Sequence, residues 1–297
     1  MDDPDFHDMD EYYDIEIYEP GKVIEREVNW DVLFRVLLLT GVGFALTFGI
    51  TFALELPLLL FGFIDVNYFT GQIEFAPWVL ILLTFAELGF IIPPIWYARR
   101  NGFGLDSLGI KIPRRFAKRV GIQGVGDGAD MPRSVPVAFT SSRSEALKDI
   151  ALGLGFGVLM LISNIIITWI VTLGSGAEID DSVVLFQSSD VLELIGWIVV
   201  MFLIVGFSEE LLFRGFLQRR MEIFFRSRST NFKMIALVIT SAIFSIMHLD
   251  LLGFAARFVL GLFLGYLAAR RQYSILGPTV AHGFNNAAVV VFAFLGF

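Results

Sequence analysis

Six residues carry the chemistry this chain offers: Glu209, Glu210 and Arg214 in SEELLFRG, His248 closing FSIMH, and His282 with Asn286 in HGFNN. Residues 191–207, VLELIGWIVVMFLIVGF, hold a single charge at Glu193, so the two glutamates arrive at or inside a membrane. A charged side chain at mid-bilayer costs about 2.5–3.5 kcal/mol even on the mildest scales. On a helix, Glu210 and Arg214 stand four apart with the acid first, the favourable order for an ion pair. Glu209, about 100° further round the helix, has no partner in its own segment. Of the three histidines, His7 lies in a polar tail, which leaves His248 and His282 for the apolar segments. His282 and Asn286 are four apart and share a helix face, with Asn285 as the adjacent alternative. Intramembrane ionisable groups face a bundle interior or a water-filled cavity, so the three segments are expected to line one space.

Such a space suits amide hydrolysis by activated water. A carboxylate shielded from bulk water becomes a usable general base, and a neighbouring histidine shares the proton. A histidine and an asparagine on one helix face can donate to the oxyanion of a tetrahedral intermediate. No serine sits in a nucleophile-elbow pattern, and the chain has no cysteine, so disulfides, thiolate zinc sites and a cysteine nucleophile are excluded. The residues leave open whether the water is activated by glutamate alone or bound to zinc through His248, His282 and a glutamate. There is no HExxH, and the metal-free version, with no cofactor, is favoured.

The elements that must position these groups are helices in a membrane. The chain has 297 residues, 56% of them hydrophobic, with mean hydropathy +0.71, and several apolar runs approach or exceed the length of a span. The expected fold is all-α, a polytopic transmembrane helical bundle of about seven to eight spans. Net charge is −8, which argues against nucleic acid as a partner. Residues 1–29 read as an acidic cytoplasmic tail with no basic n-region, hence no cleavable signal peptide. Residues 30–100 hold the N-terminal spans, the first at about 32–54, ended by Glu55 and Pro57, the second at about 77–98, kinked in its last turn by Pro93-Pro94. Glu87, inside the second, reads as a packing or interfacial acid rather than a catalyst.

Residues 101–148 read as a polar cytoplasmic loop whose Arg114, Arg115, Lys118 and Arg119 face lipid headgroups. GVGDGADMPRS (124–134) reads as a flexible stretch without the context of a phosphate loop. Further spans are expected at about 150–173, 191–218, 234–248, 252–269 and 274–296. The basic residues after the second, fourth and sixth spans put the N-terminus inside under the positive-inside rule. The acidic loop with Glu178, Asp180, Asp181 and Asp190 then falls outside. A re-entrant piece at 56–64 would flip only the N-terminus. One tension remains at this level: Glu209 counts to near the cytoplasmic end of its span, whereas His248 lies ~21 Å in from residue 234. The two meet only if the fifth span starts beyond the membrane surface, with 232–237 as an extension.

The trio EExxxR, FxxxH and HxxxN, here Glu209-Glu210-xxx-Arg214, Phe244-xxx-His248 and His282-xxx-Asn286, resembles the CAAX prenyl protease 2 and bacteriocin-processing family. That family includes the type II CAAX prenyl endopeptidases. The resemblance covers about residues 146–297, so 149–297 is the expected catalytic core. It implies an intramembrane endopeptidase of a plasma membrane. In it Glu209 activates water with His248, His282 and Asn286 hold the oxyanion, and Glu210, Arg214 and Phe244 support them. The implied partners are membrane lipids and a protein or peptide substrate, prenylated at its C-terminus for the family's type members. Two readings from other classes stay open beside it. Glu, His and Asn inside helices also build proton-coupled carriers, although no internal repeat relates 30–148 to 149–297. An idle scaffold is the other, and it has no need for these residues together.

Overall fold

In the computed structural model, residues 28–67, 73–111, 143–175 and 188–296 are described. The helix α1, Trp30–Leu60, opens where the Asn29 side chain accepts from the Val32 N–H at 2.9 Å. It runs through Glu55 and Pro57 instead of stopping near residue 54. A proline one turn from the end removes only one hydrogen bond from the ladder, and the apolar LPLLL stretch carries the helix on. Strands β1, Ile64–Val66, and β2, Ile73–Phe75, then pair antiparallel with Ile64 opposite Phe75. The fold is therefore nearly rather than wholly α-helical, and no re-entrant element forms at 56–64: those residues end α1 and enter the hairpin.

The second rod, α2, spans Val79–Arg100. Its middle, Phe85–Ile91, is wound as a 3-10 helix, and Pro93 and Pro94 begin the α-helical piece Ile92–Arg100. The prolines thus occupy a first turn, where no N–H is needed, rather than kinking a last one. A short 3-10 turn follows at Leu105–Leu108. The helix α3 covers Arg143–Ser175 and starts inside the stretch expected to be loop. The rod α4 covers Val191–Arg226, capped by Asp190, which accepts from the Glu193 N–H at 2.8 Å. It extends eight residues beyond the expected end at 218. The hairpin partner α5, Phe232–Ile246, is followed by α6, Phe254–Arg270, and α7, Leu276–Leu295, which ends on Gly296 at φ 80°.

Five of these seven helices, α1, α2, α3, α4 and α7, are long and apolar enough to cross a membrane, and α5 is a shorter apolar helix. Charge is buried and large apolar side chains are displayed. Phe34, Phe52, Trp169 and Leu203 are exposed, while Glu210, Arg214, Gln218, Arg220 and Glu222 on α4 are all buried. Lipid is as good a solvent for leucine as another leucine, so the helix ladder satisfies the backbone and the polar side chains turn inward. The chain is an integral membrane protein.

Around α4 the core is aromatic and aliphatic: Leu211, Leu212, Phe213, Phe216 and Phe224 pack with Val36 of α1, Phe90 and Tyr97 of α2 and Phe244 of α5. The N-terminal helices thus pack directly on the segment that carries the glutamates. On the other side α7 lies along α3 and crosses α4. The acidic tail up to residue 27, the basic cluster Arg114, Arg115, Lys118 and Arg119, the glycine-rich 124–134, and Glu178, Asp180 and Asp181 lie outside the described residues.

Candidate active site

The depth mismatch between Glu209 and His248 disappears once α4 and α5 are seen as a helical hairpin about residues 227–231. Arg226 lies seventeen positions after Glu209, and His248 sixteen positions after Phe232. At 1.5 Å per residue both arms are about 25 Å long, so an antiparallel pair sets the two side chains at one level. The expected end of α4 at 218 left out the extra turns that make the arms equal.

The glutamates themselves sit on Gly206–Glu210, an α-helical stretch between two π-wound ones, Met201–Val205 and Leu211–Gln218. Such widened turns occur mostly where a helix carries function. Two close backbone crossings then bring α7 in. A Cβ on Gly206 would stand 2.9 Å from the Thr279 carbonyl oxygen and 3.2 Å from the Gly283 nitrogen, and one on Gly283 would stand 2.6 Å from a Phe202 ring carbon. Only small residues let helices approach so closely, and the approach is what places His282 against α4.

At that crossing Glu210, Arg214 and His282 form one network. The Glu210 Oε1 accepts from Arg214 Nη1 at 2.8 Å and from His282 Nδ1 at 2.9 Å. The Arg214 Nη2 donates to the Gly261 carbonyl of α6 at 3.3 Å. All three side chains are buried, so the charge of Glu210 is balanced locally, as burial requires. Phe244 is the platform beneath: the Arg214 guanidinium lies 4.6 Å from its ring centroid, and the rings of His248 and His282 meet it edge-on at 4.8 and 5.9 Å.

These hydrogen bonds fix which histidine nitrogen is available. A carbonyl oxygen only accepts, so the contact of 2.7 Å from His248 Nδ1 to the Phe244 carbonyl puts the proton on Nδ1. The lone pair of His248 is then on Nε2. His248 itself is exposed, just past the end of α5, where Leu249 turns the chain at φ 54°. Asp250 accepts from the Gly253 N–H at 3.0 Å and pairs with Arg257, anchoring the loop that carries the histidine. The carboxylate on His282 Nδ1 fixes that proton in the same way and leaves Nε2 of His282 facing away from Glu210.

Glu209 differs from its neighbour in that neither Arg214 nor His282 bonds to it: the Oε2 of Glu210 is also buried without a partner, but its Oε1 is held by both. Glu209 is 8% exposed and its Oε2 is buried without a hydrogen-bond partner, although His248, His282 and Arg214 all lie close enough to feel its charge. An acid in such a position is available to a ligand. Asn286 is half-buried and accepts from Asn285 Nδ2 at 3.2 Å, while the Oδ1 of buried Asn285 has no partner. Asn286 thus shares the face of His282 without bonding to it. Among the described residues, no three His, Asp or Glu side chains gather as a metal-ligand set.

Glu87, which the sequence reads as a packing or interfacial acid, lies close to this site. Its segment of α2 packs against the Glu209 segment, its Oε2 is buried without a partner, and it feels the charge of Glu209. It is the one acid within the apolar run of α2, and an intramembrane acid is a candidate functional group by default.

Residues 191–288 match the family model described as Rce1-like, type II CAAX prenyl endopeptidase Rce1-like. No curated protein and no solved structure matches the chain. The matched stretch contains the two glutamates, Arg214, Phe244, both buried-site histidines and Asn286, and it leaves α1, α2 and α3 outside. Residues 191–288 are thus similar to a family of prenyl endopeptidases, and the rest of the chain lies outside that similarity.

Proposed function

We propose that this protein is an intramembrane endopeptidase that hydrolyses a peptide bond with water activated by Glu209 and His248. The observation that carries the proposal is the buried, unpartnered Oε2 of Glu209 beside two histidines whose Nδ1 atoms are already committed. His248, with its Nδ1 proton held by a carbonyl, offers the Nε2 lone pair to the proton of a water that Glu209 orients. The hydroxyl attacks the scissile carbonyl, and the proton now on His248 Nε2 passes to the leaving amine nitrogen as the C–N bond breaks.

His282 is set up for the opposite role. It donates from Nδ1 to Glu210, and a proton on Nε2 makes it an imidazolium whose charge Glu210 balances, as a buried carboxylate does in hydrolytic triads. That Nε2–H, together with the Asn286 amide on the same helix face, donates to the oxyanion of the tetrahedral intermediate. Arg214 and Phe244 hold Glu210 and the two rings in register. No metal step is needed.

The family match supports a substrate of the CAAX type, a protein or peptide C-terminus bearing a prenyl cysteine. The surrounding lipid is the other partner, the cell membrane is the proposed site of residence, and the N-terminus lies on the cytoplasmic side with the basic segments. Cleavage of a farnesylated CAAX peptide by purified protein in detergent tests this directly. Wild type should cleave, and Glu209→Ala and His248→Ala should not. Insensitivity to phenanthroline is expected, and inhibition by it would favour the zinc-dependent alternative. Failure of the wild type to cleave would detach the site from prenyl-peptide chemistry.

A further inference from the structure

We propose that Glu87 of α2 forms a carboxyl–carboxylate pair with Glu209, sharing one proton, so that Glu87 is a positioning residue that holds Glu209 Oε2 and leaves its other oxygen for water. This rests on the catalytic reading of Glu209 given above.

Three observations meet here. The 3-10 segment Phe85–Ile91 packs against Gly206–Glu210, so the two acids come from facing elements. Each carries a buried Oε2 with no hydrogen-bond partner. Two acceptor-only oxygens in one dry place are each unsatisfied, and one proton between them satisfies both. The tight winding of the segment has a local cause as well: a Cβ on Gly89 would lie 2.8 Å from the Thr47 nitrogen, so α1 presses directly on the turn that carries Glu87.

Arg214, His248 and His282 feel the charge of Glu209, but none of them bears on Glu87. Glu87 packs among α1, α4 and the rest of α2. On α4, the Oε1 of Glu210 is taken up by Arg214 Nη1 and His282 Nδ1, while Glu210 Oε2 and Arg214 Nε are buried without partners. Among the described residues, neither the Asp31, Arg35 and Glu55 of α1 nor the Arg99 and Arg100 of α2 bear on Glu87, and Glu209 does. Among the described residues no cation bears on Glu87 itself, and a proton is the counter-charge left to its carboxyl. Acid pairs that cannot both ionise are a recurring way to set acid and base roles in one site.

The chemistry balances simply. The shared proton sits on Glu87, whose O–H donates to Glu209 Oε2. Water gives its proton to His248 Nε2 while Glu209 orients it, and the Glu87 proton is neither consumed nor released in the step.

Two measurements on the full-length protein decide the matter. Infrared spectra of wild type at neutral pH should show a carboxylic-acid C=O band that shifts in deuterium oxide. Glu87→Gln should abolish the band, whether or not the protein cleaves any peptide. If the band is absent from wild type or survives in Glu87→Gln, the pair does not exist. In the cleavage assay, Glu87→Gln keeps a donor for Glu209 Oε2 and should retain most of kcat while losing the alkaline limb of the pH profile. Glu87→Ala, which removes the donor, should lose about 10–100-fold in kcat. Equal loss in the Gln and Ala variants, or a wild-type pH profile in both, would overturn the proposal. Absence of cleavage by wild type would sink the protease reading alone, because the infrared band does not depend on it.

Discussion

The Nδ1 of His282 lies 2.9 Å from Oε1 of Glu210, the same oxygen that Arg214 Nη1 reaches at 2.8 Å. One carboxylate oxygen therefore joins α4 to α7 and to its own next turn. In the proposed mechanism the second glutamate of the pair is the structural one and the first carries the chemistry. The following outcomes are expected from that division.

Glu210→Ala should destabilise the protein by about 3–5 kcal/mol, because it leaves the Arg214 guanidinium buried and unpaired. Thermal unfolding in detergent measures this. Glu209→Gln, at a position without a hydrogen-bonded partner, should leave the unfolding midpoint within about 2–4 °C of wild type and lower peptide cleavage by about 10²–10⁴-fold. A Glu209→Gln protein as unstable as Glu210→Ala would contradict the division.

Phe244→Ala should cost about 3–5 kcal/mol, since the ring supports Arg214, His248 and His282 together. Phe244→Leu restores most of the volume but not the ring face. It should recover stability more fully than cleavage, and comparing the two readouts in one preparation checks this.

Gly283→Ala should push α7 away from Phe202, where a Cβ would stand at 2.6 Å. Overpacking of this kind costs about 1–3 kcal/mol. The His282–Glu210 contact should weaken with it, so cleavage falls even though no polar group has changed. Phe202→Ala in the same chain should not restore the activity, because the added Cβ would also stand 2.8 Å from the Phe202 Cα, which that change leaves in place.

Arg257 holds the Asp250 carboxyl below the usual carboxylate range through its hydrogen bond, with the Gly253 N–H adding to this. A depressed folded pKa means that the stabilisation is present above the unfolded value and is lost as pH falls through the folded one. The loop behind His248 should therefore be anchored at neutral pH and loosen only below about pH 4. Asp250→Asn should show a lower unfolding midpoint than wild type at pH 7, with the gap closing in acid. A gap that widens in acid would refute the assignment.

Read alone, the amino-acid sequence settled the helical membrane character and put forward the candidate site residues, because both rest on local pattern. A run of apolar residues has no alternative to spanning, and an acid four residues before an arginine pairs within its own helix, as Glu210 and Arg214 do. The motif spacings were likewise enough to suggest the family whose model matches 191–288. What needed the tertiary structure was every relationship between helices. The His282–Glu210 bond spans 72 positions, and no periodicity within either segment encodes it. It depends on how closely Gly206 and Gly283 let two backbones approach. The common level of Glu209 and His248 depends on α4 continuing to Arg226, where buried Arg220 and Glu222 keep a polar stretch helical. Glu87 came from outside the matched segment and could be placed beside Glu209 only once α2 was packed on α4. Helix formation is decided over a few residues, whereas the pairing of buried charges is decided by which helices exclude water together.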